Sequence, residues 1–207
     1  MKNKILIIDY KVGNVNSVIK AVKHLGYFPV FSNKVKDISD SDAIILPGQG
    51  SFDYAMKKIN DFGLKEKIFE HVNKGKKLLG ICLGMQILAS YGYENNKKTR
   101  GLNLIKGEVI KFKSKNIKLP HIGWSEVTQS KKDKIFLEIK NKSDFYHCHS
   151  YIFNVSDKKN IFATSKYNEK FTTIIKKKNV YGVQFHPEKS QKLGLKLIDN
   201  FLKNWIK

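Results

Sequence analysis

The stretch Leu78–Ser90, LLGICLGMQILAS, runs as a buried strand up to Ile81, passes through Cys82, and resumes with helical spacing from Leu83. Gly80 and Gly84 stand two residues either side of the thiol. A strand that turns this sharply into a helix lifts its turn residue above the sheet edge, and neighbours with little or no side chain make room for it. The pattern predicts a nucleophile elbow with Cys82 at its tip. Such a sulfur sits at a helix N-terminus, where the macrodipole favours the thiolate, and the Leu83 backbone N–H points toward an oxyanion formed by its attack. A buried structural cysteine is the bland alternative, and the flanking glycines weigh against it.

Working outward, the elbow lies within an alternation of short strands and helices. Lys4–Asp9 (KILIID), Phe28–Phe31 (FPVF), Ala43–Gly48 (AIILPG) and Lys77–Ile81 (KLLGI) read as strands of a parallel sheet. Between them Val15, Val18, Ile19, Val22 and Leu25 recur at helical steps, with Asn14 as cap and Gly26 as stop, and Leu64–Asn73 forms a further helix closed by Gly75. Leu83–Ser90 is expected to be helical throughout. From Gly107 the rhythm turns to strands: EVIKF, FYHCHSY, IFATS, FTTIIK and VYGVQF. The chain ends in an amphipathic helix whose face carries Leu193, Leu197, Ile198, Phe201, Leu202 and Trp205. The expected fold is α/β, a mostly parallel central sheet flanked by helices, with an antiparallel extension in the C-terminal half. With 207 residues and no linker or repeat, residues 1–207 read as one domain.

Composition narrows the class. No apolar run is long enough to span a bilayer, and the opening MKNKILIIDY meets an aspartate too early for a secretory signal, so a soluble cytoplasmic protein without a membrane partner is expected. Cys82 and Cys148 then read as free thiols. The net charge of +21 invites a nucleic-acid reading. Arg100 is the only arginine, however, and the lysines are scattered instead of forming a stripe, which argues against a dedicated reader of phosphates and bases. No nucleic-acid partner is expected; an acidic protein partner stays open.

A cysteine nucleophile needs a base, and the base needs an orienting group. Gly182–Ser190, GVQFHPEKS, offers both, with His186 after an apolar strand and Glu188 two residues on. His24 and His71 fall in helical patterns and read as surface or helix-end residues. His147 and His149 share a strand face, but spacing supplies no third metal ligand beside them, so neither a metal nor a cofactor is expected.

With GICLGMQ and GVQFHPEKS together, the chain resembles the class I glutamine amidotransferases. IIDYKVGNVNSV, LPGQGSF, PHIGWSEV and FYHCHSY further resemble the glutaminase subunits of imidazole glycerol phosphate synthase, in order and over nearly the whole length. The resemblance implies a Cys82–His186–Glu188 triad that hydrolyses L-glutamine to glutamate and ammonia. It implies an oxyanion hole at Leu83 and at the Gln49–Gly50 peptide, the latter reorienting when the synthase is loaded. Gln86, Glu94, His149, Ser150 and Tyr151 would grip the glutamine head group, and Trp124 and Tyr146 would lie toward a (β/α)8-barrel cyclase partner in a heterodimer that makes imidazole glycerol phosphate for histidine biosynthesis. Independently, Gln86 falls one helical turn beyond Cys82 on the same face.

Lys11, Gln49 and Ser125 depart from the family pattern at its partner face and oxyanion loop, which leaves a second acceptor open: a sugar-modifying amidotransferase for surface polysaccharide. Two readings of other classes also stand, a basic non-catalytic binding adaptor and a cysteine hydrolase that works without a partner.

Overall fold

The computed structural model describes residues 3–11, 15–94, 97–114 and 117–203. In chain order its elements are β1 (Lys4–Ile8), α1 (Asn16–His24), β2 (Phe28–Ser32), α2 (Val35–Ser39), β3 (Ala43–Leu46), α3 (Phe52–Asp61), α4 (Leu64–Asn73), β4 (Lys77–Ile81) and α5 (Leu83–Gln86). The second half holds β5 (Tyr91–Glu94), β6 (Lys97–Arg100), β7 (Gly107–Lys111), β8 (His121–Gln129), β9 (Ser143–His149), β10 (Tyr151–Val155), β11 (Ile161–Tyr167), β12 (Glu169–Lys177), β13 (Val180–Val183) and α6 (Gln191–Lys203).

Among the described residues the main sheet runs β2-β1-β3-β4-β13-β12-β11-β8-β9. The five strands from β2 to β13 are parallel and the remaining pairings antiparallel. The expected α/β sheet with an antiparallel extension is therefore present. Alternation along β1 splits the core: Ile5 and Ile7 face α1 and α6, while Leu6 and Ile8 face α3 and α4. Leu197, Ile198, Phe201 and Leu202 of α6 are buried as their spacing predicts. Asn14 and Trp205 lie outside the described residues. No helix among the described residues is long and apolar enough to cross a membrane.

Several expectations need correction. EVIKF forms β7, which belongs not to the main sheet but to a smaller one, β10-β7-β5-β6. FYHCHSY is divided at Ser150 between β9 of the main sheet and β10 of the small one. The helix after Cys82 stops at Gln86, because the loop that follows β6 takes its carbonyls: Leu102 N donates to Ile87 O at 2.8 Å, Asn103 N to Ala89 O at 2.8 Å, and Ile105 N to Leu88 O at 3.1 Å. His24 is exposed, but His71, at the end of α4, is buried against the Lys77 carbonyl at 3.1 Å.

Candidate active site

The sequence around Cys82 leaves its backbone little choice. Hydrogen bonds hold β4 between β3 and β13, and the Cys82 N–H continues that ladder to Val183 O at 2.7 Å. The next residue already begins α5, so the reversal is taken up at Cys82 itself, with φ 47° and ψ −104°. An L-residue rarely adopts this conformation, and holding one there costs about 1–3 kcal/mol.

Three glycines make the bend possible by leaving out a Cβ. One built on Gly84 would stand 2.0 Å from Leu46 O, one on Gly80 would stand 2.4 Å from Gly84 O, and one on Gly48 would stand 2.5 Å from Ile81 O and 2.9 Å from Cys82 Cβ. Gly80 and Gly84 thus let β4, α5 and the end of β3 meet backbone to backbone. Gly48 brings the loop after β3 alongside the elbow.

His186 arrives from the opposite direction, just beyond β13, the parallel neighbour of β4. Its N–H donates to Tyr146 O at 2.8 Å, while the Ser190 hydroxyl donates to His186 O at 2.7 Å and accepts from Tyr146 N at 3.0 Å. The imidazole is clamped as well: Nδ1 donates to Glu188 Oε1 at 2.8 Å, and the ring lies within electrostatic reach of Cys82. Burial, the largest single influence, disfavours the imidazolium. The charge of Cys82, joined by Glu188, overcomes it and pushes His186 up to about 10 from its usual 6.5.

A histidine raised in this way contributes stability that is complete below about pH 6.5 and is lost as pH climbs through about 10. In Cys82→Ala only Glu188 opposes the cost of burial, so His186 is expected to bind its proton at least about tenfold more weakly. Imidazole titration by NMR checks this, and an unchanged midpoint would show that the thiol does not govern the ring.

The sulfur lies 3.6 Å from Nε2 of Gln184 and 3.8 Å from the Cys148 carbonyl. Gln184 is fully buried, and its Oε1 accepts from Gln86 Nε2 at 3.4 Å. The same Gln86 nitrogen donates to Tyr151 O at 3.0 Å, and His149 Nδ1 donates to that carbonyl at 3.0 Å as well. Gln86, His149 and Tyr151 therefore meet at one oxygen, beside Ser150, whose carbonyl accepts from Phe112 N at 3.4 Å.

Leu83 opens α5, where early N–H groups lack carbonyl partners within the helix. That helix is a single turn, so local N–H groups matter there more than a long dipole. Gly50, with φ +111°, lies in the loop between β3 and α3. Two residues further on, Phe52 N donates to Glu94 Oε2 at 2.6 Å, and burial is the main cause that raises the Glu94 carboxyl.

Trp124 and Tyr146 pair across β8 and β9, with ring centroids 6.1 Å apart and Trp124 exposed beside Ile122.

Sequence reasoning passed over Gln184, Ser190 and Tyr10. The buried Tyr10 hydroxyl donates to the Pro47 carbonyl and so fixes the loop that carries Gly48 and Gly50; burial first, then the nearby charge of Cys82, raises its phenol. Gln184 and Ser190 both fall within the quoted run GVQFHPEKS, on either side of His186, which was the available signal.

One further assembly was also missed. The antiparallel register sets His121 opposite His149, so a third buried imidazole does join the pair in β9, contrary to what spacing within one strand suggests.

A thiol on a strained elbow, near a histidine that a carboxylate orients, is suited to acyl transfer from an amide or ester. Known proteins bear on which family uses it here. Residues 6–205 match the family described as glutamine amidotransferase class-I. The chain is 45% identical over 199 residues to imidazole glycerol phosphate synthase subunit HisH 1 of Campylobacter jejuni subsp. jejuni serotype O:23/36 (strain 81-176), covering 95% of this chain and 98% of that one. It is also 45% identical over 205 residues to imidazole glycerol phosphate synthase subunit HisH of Pelagibacter ubique (strain HTCC1062), covering 96% and 98%. Among solved structures, PurLQS from Thermotoga maritima shares the fold with a TM-score of 0.74 at 20% identity, covering 98% of this chain and 98% of that one. A family match across almost the whole length, with relatives of this identity, is decisive: the chain belongs to the class-I glutamine amidotransferases.

Proposed function

We propose that the chain is the glutaminase subunit of an imidazole glycerol phosphate synthase, hydrolysing L-glutamine and passing the ammonia to a (β/α)8-barrel cyclase in a heterodimer. The observation that supports this reading is the His186–Glu188 hydrogen bond beside the Cys82 elbow, whose charge acts on the ring, in a chain whose relatives bear that enzyme's name.

In the proposed cycle the Cys82 thiolate attacks the side-chain amide carbon of glutamine. The oxygen's developing charge is held by the N–H groups of Leu83 and Gly50. His186 gives its proton to the departing nitrogen, which leaves as ammonia, and a thioester remains on Cys82. His186, now neutral, takes a proton from water as it attacks the thioester, and glutamate departs with the thiol restored. Glu188 holds the ring in one orientation through both steps. Gln86, Glu94 and the His149–Tyr151 segment grip the α-amino and carboxylate groups of the substrate. Trp124 and Tyr146, with the exposed Ile122, form the face that meets the cyclase.

The test is glutamine hydrolysis measured alone and with the barrel enzyme plus its nucleotide ligand. Docking and loading are expected to raise turnover by about 100-fold or more, the effect of completing one oxyanion donor. Equal turnover with and without the partner would instead favour a self-sufficient cysteine hydrolase.

Lys11, Gln49 and Ser125 keep a second acceptor in play. Stimulation by a sugar-modifying synthase and not by the cyclase would transfer the same chemistry to that partner.

A further inference from the structure

We propose that His121, His147 and His149 form a binding site for a divalent transition metal of the zinc class. The two strands build the cluster by register: His121 in β8 pairs with His149 in β9, and His147 lies two residues along on the same face. All three side chains are buried, and one ring nitrogen from each lies within 4.8 Å of one from each of the others.

The spacing is close to what a tetrahedral ion needs. His147 Nδ1 and His149 Nε2 are hydrogen-bonded at 3.2 Å, close to the edge of about 3.3 Å that zinc–nitrogen bonds near 2.0–2.1 Å imply between ligand nitrogens, so an ion would take the place of the proton the two rings share. Ring centroids are separated by 5.0 Å for His121–His147 and 5.3 Å for each of the other two pairs; three imidazoles on one such ion stand about 5 Å apart by the same bond length.

Metal-binding histidines usually donate their second nitrogen to an oxygen that fixes the ring. Two of these three have that oxygen. His149 Nδ1 bonds Tyr151 O at 3.0 Å, and His121 Nε2 bonds Ser125 Oγ at 3.0 Å. Independently, His121 Nδ1, the ring nitrogen not engaged by Ser125, is buried without a hydrogen-bond partner among the described residues. Buried polar atoms in native proteins are nearly always satisfied, so this nitrogen is the one a ligand would satisfy.

Burial, reinforced by the mutual repulsion of the rings, lowers His147 well below the usual range and His149 to about 3; burial alone lowers His121 to about 4. All three are thus neutral at physiological pH, the form that binds metal.

Three nitrogen donors, with no carboxylate in the cluster among the described residues, select zinc, cobalt, nickel or copper over magnesium and calcium. Phe112, Tyr167 and Phe171 wall the cluster against water. This assignment does not depend on the glutaminase reading.

The experiment uses the full chain carrying Cys82→Ala, so that the elbow thiol cannot act as a ligand, stripped with a chelator and kept reduced. Cobalt and zinc chlorides are titrated against a chromophoric chelator, with thermal melts alongside. Expected are one equivalent of metal, a tetrahedral cobalt spectrum lacking a thiolate charge-transfer band, a raised Tm, and no response to magnesium. Adding His147→Phe should weaken binding by about 100-fold or more, since losing even an outer-shell partner of a ligand costs 10–100-fold. No uptake at equimolar metal, or equal affinity in both proteins, overturns the proposal; the second result would place the ion on exposed groups. If His147→Phe does not fold by circular dichroism, His121→Gln is read by the same criterion.

Discussion

Cys82→Ala is expected to remove at least about 10⁴-fold of glutamine turnover by the complete, ligand-loaded synthase, the loss typical of deleting a nucleophile that acts as one unit with its base. Cys82→Ser should fare little better, because a serine hydroxyl ionises far less readily than a thiol and offers His186 no thiolate to pair with. Two controls separate chemistry from folding. Glutamine binding, measured by calorimetry, should survive in Cys82→Ala, and the synthase should still run on added ammonium salt. Retained hydrolysis in Cys82→Ala would exclude the thiol as nucleophile.

Gly84→Ala is expected to destabilise the protein by about 3 kcal/mol or more. The new methyl would sit 2.0 Å from Leu46 O and 2.9 Å from Leu46 Cβ, and backbone held in a central strand cannot move aside as the end of a flexible side chain can. Gly26→Ala is the matched comparison. There φ is +85° and nothing lies within 4 Å, so the penalty is conformational alone, about 1 kcal/mol. Denaturant midpoints of the two variants decide it: a Gly84→Ala cost no greater than that of Gly26→Ala would mean the β3–α5 contact is looser than the distances imply.

The elbow was legible because its demand is local. A reversal between strand and helix needs small neighbours at fixed offsets, and Gly80 and Gly84 display them in sequence. The buried strands β1, β3 and β4 were legible for a similar reason, since they are short isoleucine- and leucine-rich runs ended by turn residues. β8 was not, because HIGWSEVTQ mixes glycine and charge into a strand with one face exposed. The hairpin of β5 and β6 hid behind lysine and asparagine, and its tip lies outside the described residues. α3 carries its apolar residues at helical steps but begins immediately after the glycine-rich loop, which masked its start.

Contacts that depend on pairing between distant segments cannot be read from any one segment, even where the residue itself sits in a telling run. His121 meets His149 only through the register of β8 and β9, and Gln184 reaches the sulfur only because β13 lies beside β4. The helix that ended early did so through carbonyls captured by residues 102–105, which no propensity records.

Tyr146 carries a further meaning. Its ring stacks edgewise on the exposed Trp124, while its own carbonyl holds the His186 N–H. The outer surface of this strand and the backbone of the proton-carrying histidine are therefore one residue apart.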